Sequence, residues 1–384
     1  MEFNRNISML GTSASIELMQ RAEQLRMLGK DVLSLAGGEP DFNTPNRICR
    51  AADKAICDGF THYAVGRGLP LLREKIAEKL WKENDIKCSA ENIIVTPGGK
   101  FGVYMAVCTL INEGDEVIIL NPAWVSYGPI VKACGGIPVF VKLSYDDDYI
   151  IDVMKIREKI TNKTKAIIIN YPNNPTGKVL SANEARQLAD VIRDTDIFVI
   201  SDEIYERIVF DGNKSVSLAS YREVSKNVIT INGFSKCAAM TGWRLGYVVA
   251  DDIVTNMMYK LYTHTITGTS TFIQHAALEV FNCNEEIEEM RKIYEKRRNY
   301  FVTELNQIKG LHCRKAEGAF YAWVNFDTKK RSEEIADQLL QQTGVVGVPG
   351  QAYGENKNCC MRFSFACMDN VLREAVDRMK KFVL

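Results

Sequence analysis

The chain lacks a net charge. Across 384 residues, 48 Lys and Arg balance 48 Asp and Glu, so no field of one sign marks it for nucleic acid or an anionic membrane. Long apolar runs are missing too: stretches such as Val117–Leu120 are far too short to span a bilayer. The opening Met1–Asn6 is polar and has no apolar h-region, so no signal peptide is expected and the predicted location is the cytoplasm. Eleven Cys, an odd number, include no C-x-x-C pair, and Cys359 and Cys360 are adjacent. That pattern excludes a disulfide framework or a zinc site and predicts reduced, mostly buried thiols. Cys237 is read as a packing residue. The four His (His62, His264, His275 and His312) have neither metal-ligand nor triad spacing, so no metal is expected. No G-x-G-x-x-G run occurs, which sets a dinucleotide site aside. Repeats, low-complexity tracts and long flexible linkers are likewise absent.

What is present is a long, ordinary globular composition, 46% hydrophobic and 25% charged, enough for a large core and more than one domain. Short β-branched runs at Ile93–Thr96, Glu116–Leu120, Ala166–Ile169, Phe198–Ile200, Val228–Ile231 and Tyr247–Val249 read as buried strands. Amphipathic stretches lie between them: one over Leu69–Glu83, others starting near Gly99, Trp124, Asp152 and Ser181. The alternation predicts an α/β fold with a mostly parallel sheet covered on both faces. Toward the start, Ser15–Gly29 places Leu18, Ala22, Leu25 and Leu28 on one helix face, with Gly29 as its stop. Toward the end, Glu285–Lys309 reads as a long helix, acidic first (Glu285, Glu286, Glu288, Glu289) and basic later (Lys292, Lys296, Arg297, Arg298). It is expected to present a solvated, dipole-matched face. A strand at Ala319–Val324, a helix at Ser332–Thr343, short strands near Val346 and Arg362 and a helix from Asp369 follow. The expected division is an N-terminal segment (1–45) packing with a small α+β domain (285–384), and a large domain (46–284).

Several clusters carry chemistry. Val95-Thr96-Pro97-Gly98-Gly99-Lys100 leaves a strand and opens a helix, where glycines and a helix N-terminus suit a phosphate. Arg244 adds a guanidinium fork suited to phosphate oxygens. Asp202 follows a strand at its carboxyl end, where open α/β sheets bind ligands. Asn174 lies in Asn173-Asn174-Pro175-Thr176-Gly177, a run that forms a turn by composition alone. Lys236 stands in Asn232-Gly233-Phe234-Ser235-Lys236, eight residues before Arg244.

These motifs, with Gly38-Glu39-Pro40-Asp41-Phe42, Pro122-Ala123-Trp124-Val125-Ser126-Tyr127 and Ser201-Asp202-Glu203-Ile204-Tyr205, resemble the class I/II aminotransferases along nearly the whole chain. The wording is most similar to bacterial aspartate aminotransferases of subgroup I-gamma. The resemblance implies the pyridoxal phosphate (PLP) fold type I, whose large domain has a seven-stranded, mostly parallel sheet. It implies a transaminase that exchanges an amino group between an L-amino acid, aspartate or another, and a 2-oxo acid such as 2-oxoglutarate. The exchange would be ping-pong, through a Schiff base at Lys236. Asp202 would hold the pyridine nitrogen, and Tyr205 and Asn174 the ring oxygen. Trp124 would stack on the ring, while Gly98, Gly99, Lys100, Ser235 and Arg244 would surround the phosphate. Arg362 and the Gly38 backbone would receive the substrate carboxylate, with Trp124 and Asn174 also facing substrate. Tyr63 would cross to a second subunit's phosphate, making a homodimer with shared sites. Lys100 and Ser13 are candidates for reading an acidic side chain; a second reading of Lys100 is a helix-start lysine near the phosphate. Gly233 departs from a Ser common in the family, and Ala123 from a common aromatic. Two rivals share these residues: a PLP-dependent cysteine-conjugate β-lyase, and a non-catalytic regulatory module on the same fold.

Overall fold

The computed structural model describes residues 3–64, 66–355 and 357–384. A short strand, β1 (Leu33–Ser34), precedes the seven strands of one sheet: β2 (Ile93–Thr96), β3 (Glu116–Asn121), β4 (Ile137–Lys142), β5 (Thr164–Asn170), β6 (Phe198–Asp202), β7 (Val228–Gly233) and β8 (Gly246–Val249). Their spatial order is β2-β8-β7-β6-β5-β3-β4. Neighbours pair parallel except at β8, which runs against both β2 and β7. The strands are almost continuously Val and Ile because both faces are covered. In β5, Ile167 and Ile169 enter one core with Ile118, Val199 and Val228; Ala166 and Ile168 enter the other with Ile119, Ile200 and Ile229. Helices Asn46–Cys57, Pro70–Asn84 and Ala182–Ile192 close the first core, and Gly99–Leu110 and Asp252–Thr265 the second.

The C-terminal region contains β9 (Leu311–Cys313), β10 (Tyr321–Phe326), β11 (Val345–Val346), β12 (Val348–Pro349) and β13 (Cys360–Ser364). Four of these form an antiparallel sheet in the order β12-β13-β10-β9. β11 instead pairs parallel with β1, so the chain's first segment is stitched to its last.

Most sequence-derived elements appear within a few residues. The helix expected near Trp124 begins at Tyr127. The Ala123 amide is bonded to the Tyr353 carbonyl (3.0 Å), and the first helical bond runs from Ile130 to Ser126. β4 was not expected; it is an edge strand that leaves half its residues exposed, and Pro138 interrupts its apolar run. Leu28 does not belong to a buried face. It caps the helix Ala14–Met27 and is 76% exposed. The long helix, Asn284–Leu305, is not simply solvated along its basic half. Lys292 and Lys296 are exposed, but Arg298 is fully buried against Asp211 (2.7 and 3.0 Å) and the Ala316 carbonyl. Arg297 pairs with Asp41 (2.9 Å) and Asp369 (2.7 Å). Partnered, hydrogen-bonded charges of this kind tolerate burial.

Three loops meet in a seam between the two sheets. Val209 bridges Gly318, Phe210 donates to the Glu317 carbonyl (2.9 Å) and Gly318 donates to the Gly177 carbonyl (2.8 Å). A Cβ on Gly318 would lie 2.8 Å from both the Ile208 carbonyl oxygen and Pro172 Cβ. We therefore expect Gly318→Ala to destabilise the protein by about 1–3 kcal/mol through overpacking. Thermal unfolding checks this against Gly11→Ala, whose Cβ would meet nothing within 4 Å.

Candidate active site

The single reversed strand assembles the site. β2 and β7 end where β8 begins, and Thr96 and Gly233 both pair with Gly246. The loop after β2 (Gly98, Gly99), the loop after β7 (Ser235, Lys236) and the residue two before β8 (Arg244) therefore converge. Only glycine fits the junction. A Cβ on Gly246 would sit 2.8 Å from the Gly99 nitrogen, and one on Gly233 2.7 Å from Gly246 Cα. This is the local reason for Gly233 where a Ser was expected.

A cavity of about 380 Å³ opens there, at the carboxyl ends of the central strands. It is lined by Ser13, Gly38, Gly99, Lys100, Trp124, Asn174, Asp202, Tyr205, Ser235, Lys236, Arg244 and Arg362. Gly98 lies just beneath: it has φ +85°, precedes the helix Gly99–Leu110 and faces the Arg244 guanidinium, 2.6 Å from where its Cβ would be. Tyr63 is not brought in. It is 88% exposed, beside a separate surface cavity with Thr61, His62 and Phe272.

Lys236 reaches the cavity from the loop after β7 and donates to the Gly38 carbonyl (2.6 Å). Burial pushes its ammonium down to about 8; Arg362 and Arg244 add to this, while Glu39 and Asp202 oppose it. Asp202, at the end of the central strand β6, is buried with both carboxylate oxygens engaged. Tyr127 donates to Oδ2 (2.8 Å) and the Ile204 amide to Oδ1 (3.2 Å). Burial raises its carboxyl to about 6 against the lowering effect of those two bonds and of Lys236. Asn170, the polar terminus of apolar β5, clamps the neighbouring loops. Its Nδ2 donates to the Asp202 carbonyl (2.9 Å), and its Oδ1 accepts from the Asn174 amide (2.9 Å).

Arg362 projects from β13, almost fully buried. Its Nη1 donates to Asn174 Oδ1 (2.9 Å) and its Nη2 to the Ala36 carbonyl (2.7 Å), while Nε has no hydrogen-bond partner among the described residues. At 3% exposure Arg362 is a core residue and not a surface arginine. Tyr205 is buried and shares a hydrogen bond with Tyr321 (2.8 Å between hydroxyl oxygens). At the mouth, Lys100 Nζ lies 4.9 Å from the Trp124 ring centroid. Burial, then Arg244, lowers its ammonium although the side chain still meets solvent. Ile16 and Met19 line the same mouth from the helix Ala14–Met27.

Sequence reasoning missed Tyr127, Asn170 and Tyr321 as site residues. A polar residue closing an apolar strand was a legible signal for Asn170, and the i, i+3 spacing from Trp124 a weaker one for Tyr127. Nothing local distinguishes Tyr321 from other strand aromatics.

The family model for aminotransferase class I and II matches residues 30–379. The aspartate aminotransferase of Bacillus subtilis is 37% identical, with 100% of this chain and 99% of that protein covered. Among solved structures, the Thermus thermophilus aspartate aminotransferase with maleate superposes with a TM-score of 0.95 at 34% identity, covering 100% of both chains. An aromatic aminotransferase from Pyrococcus horikoshii gives 0.89 at 39% identity, covering 94% of this chain and 97% of that one. Together with the seven-stranded sheet, these likenesses identify PLP fold type I and make the chain a member of the class I and II aminotransferases, a PLP-dependent transaminase that moves an amino group between amino and 2-oxo acids.

Proposed function

We propose that the chain transaminates an acidic amino acid, aspartate foremost, against 2-oxoglutarate, with Lys236 as the working amine. The carrying observation is Lys236 itself: a half-buried amine pushed down to about 8, sharing one cavity with a central-strand carboxylate and two guanidinium groups. An amine so lowered is partly neutral near pH 7, as a nucleophile and proton carrier needs.

The residues fit the cofactor. The glycine turn at Gly98 leaves a cradle that any Cβ would fill, at a helix N-terminus with no side-chain cap and beneath the Arg244 fork. Such a cradle suits a phosphate, with Ser235 adding a donor. When bound, PLP supplies a protonated pyridine ring that takes up the electron pair left at substrate Cα. Asp202 would hold the ring-nitrogen proton, its carboxylate favoured by the bonds from Tyr127 and the Ile204 amide. Tyr205 and Asn174 would donate to the ring oxygen, and Trp124 would pack against the ring. Arg362, with the Gly38 backbone, would take the substrate carboxylate; its Nε, without a partner among the described residues, leaves a donor to spare. Lys236 would hold the cofactor's aldehyde end, and its amine would carry the proton taken from substrate Cα.

Lys100, reinforced by Ser13, reads the acidic side chain. Maleate, a dicarboxylate, accompanies the Thermus relative. The exposed ring of Tyr63 supports a homodimer in which it reaches the other subunit's phosphate. The chain is read as segments 1–45, 46–284 and 285–384, supported by the β1–β11 pairing. Eleven free cysteines support a reducing, cytoplasmic setting.

Borohydride should fix the cofactor on the Lys236 peptide. Lys236→Ala should abolish turnover without altering the far-ultraviolet dichroism; retained turnover overturns the assignment. Lys100→Ala should raise KM for aspartate by at least about ten-fold, the cost of a charge-assisted hydrogen bond, and leave KM for alanine nearly unchanged. A panel of amino acids with 2-oxoglutarate reads that difference directly. Sedimentation should give twice the 43.3 kDa chain mass, and Tyr63→Phe should weaken cofactor retention by several-fold, measured by dialysis.

A further inference from the structure

Tyr321 stands at the start of β10, 1% exposed, and makes two contacts at opposite ends of the site. On β13, Ser364 lies opposite Tyr321 and Arg362 opposite Trp323. Tyr321 and Arg362 are thus diagonal neighbours on one sheet face, within reach of long side chains. The Arg362 guanidinium carbon lies 4.2 Å from the Tyr321 ring centroid, a stacking distance, with the Tyr353 ring farther off at 5.3 Å. At its other end, the Tyr321 hydroxyl meets that of Tyr205 at 2.8 Å. The loop seam holds both phenols in place: the Ala319 amide donates to the Ile208 carbonyl (2.9 Å), and Ile208 in turn donates to the Tyr205 carbonyl (2.8 Å).

We propose that Tyr321 is a positioning residue for transamination: its ring seats the guanidinium that takes the substrate carboxylate, and its hydroxyl donates to Tyr205, aligning that phenol toward the cofactor. This rests on the roles given above to Arg362 and Tyr205. Donor and acceptor follow from proton counting. Tyr205 has one hydroxyl proton; if that proton points to the ring oxygen, the bond between the phenols is donated by Tyr321. A cation over the Tyr321 ring withdraws electron density and makes its hydroxyl a better donor. One side chain from the small sheet thereby connects the carboxylate end of the substrate to the ring end of the cofactor.

The test compares holoenzymes carrying Tyr321→Phe, Tyr321→Leu and Tyr205→Phe by visible absorption across pH, steady-state kinetics and thermal unfolding. Tyr321→Phe keeps the ring and loses the donor. It should move the pH midpoint of the visible band in the same direction as Tyr205→Phe, by roughly 0.7 of a unit for a hydrogen bond of about 1 kcal/mol, and hold KM within about two-fold. Tyr321→Leu loses the ring as well and should raise KM for both the amino acid and the oxo acid by roughly ten-fold. If Tyr205→Phe moves the midpoint and Tyr321→Phe does not, the positioning role is overturned while the reading of Tyr205 stands. If Tyr205→Phe itself moves nothing, that reading falls and the proposal with it. Equal KM losses in the Phe and Leu variants, tracking equal losses in thermal stability, would reduce Tyr321 to a packing residue and also overturn it.

Discussion

The site depends on a close backbone approach. β8 runs against its neighbours, and its first residue, Gly246, packs against Gly99 on one side and Gly233 on the other with no room for a Cβ at either contact. That contact brings together three loops widely separated in the chain, which carry the phosphate cradle, the reactive lysine and the Arg244 fork. A strand parallel to β2 and β7 would place Arg244 at the opposite edge of the sheet. The reversal converts an ordinary α/β crevice into one with cationic groups on several sides.

Electrostatics then follow from burial. Lys236, Lys100, Arg244 and Arg362 face one cavity, against Asp202 and the exposed Glu39. A cavity so unbalanced suits ligands that bring their own negative charge, here a phosphate and one or two carboxylates. The same burial that lowers Lys236 raises Asp202. Each is therefore poised nearer neutrality than in water, and a cationic ring beside Asp202 would restore its charge. The four-stranded sheet contributes through Arg362 and Tyr321, so substrate and cofactor ends of the cavity come from different layers of the fold.

Much of this was legible in the chain. The Val/Ile runs determined buried strands, because a strand covered on both faces has no polar side to display. The runs around Gly98, Asn174, Asp202, Lys236 and Arg244 are local: each loop's composition both forms its turn and exposes its reactive atom, so the motif survives without knowledge of its neighbours. Arg362 was legible only by resemblance, since its isolated strand says nothing of what its side chain meets.

The sequence by itself determined the fold class, the turn chemistry and the identity of the reactive groups, because these depend on residues within a few positions of one another. Only the tertiary structure decided that Tyr127 bonds Asp202, that Asn170 clamps the Asn174 loop, that Arg298 is buried while its helix neighbours are not, and that Tyr321 touches both Tyr205 and Arg362. The bonds of Tyr127 to Asp202, of Arg298 to Asp211 and of Tyr321 to Tyr205 each join residues 75 or more positions apart, and no local period or composition encodes which distant group will arrive.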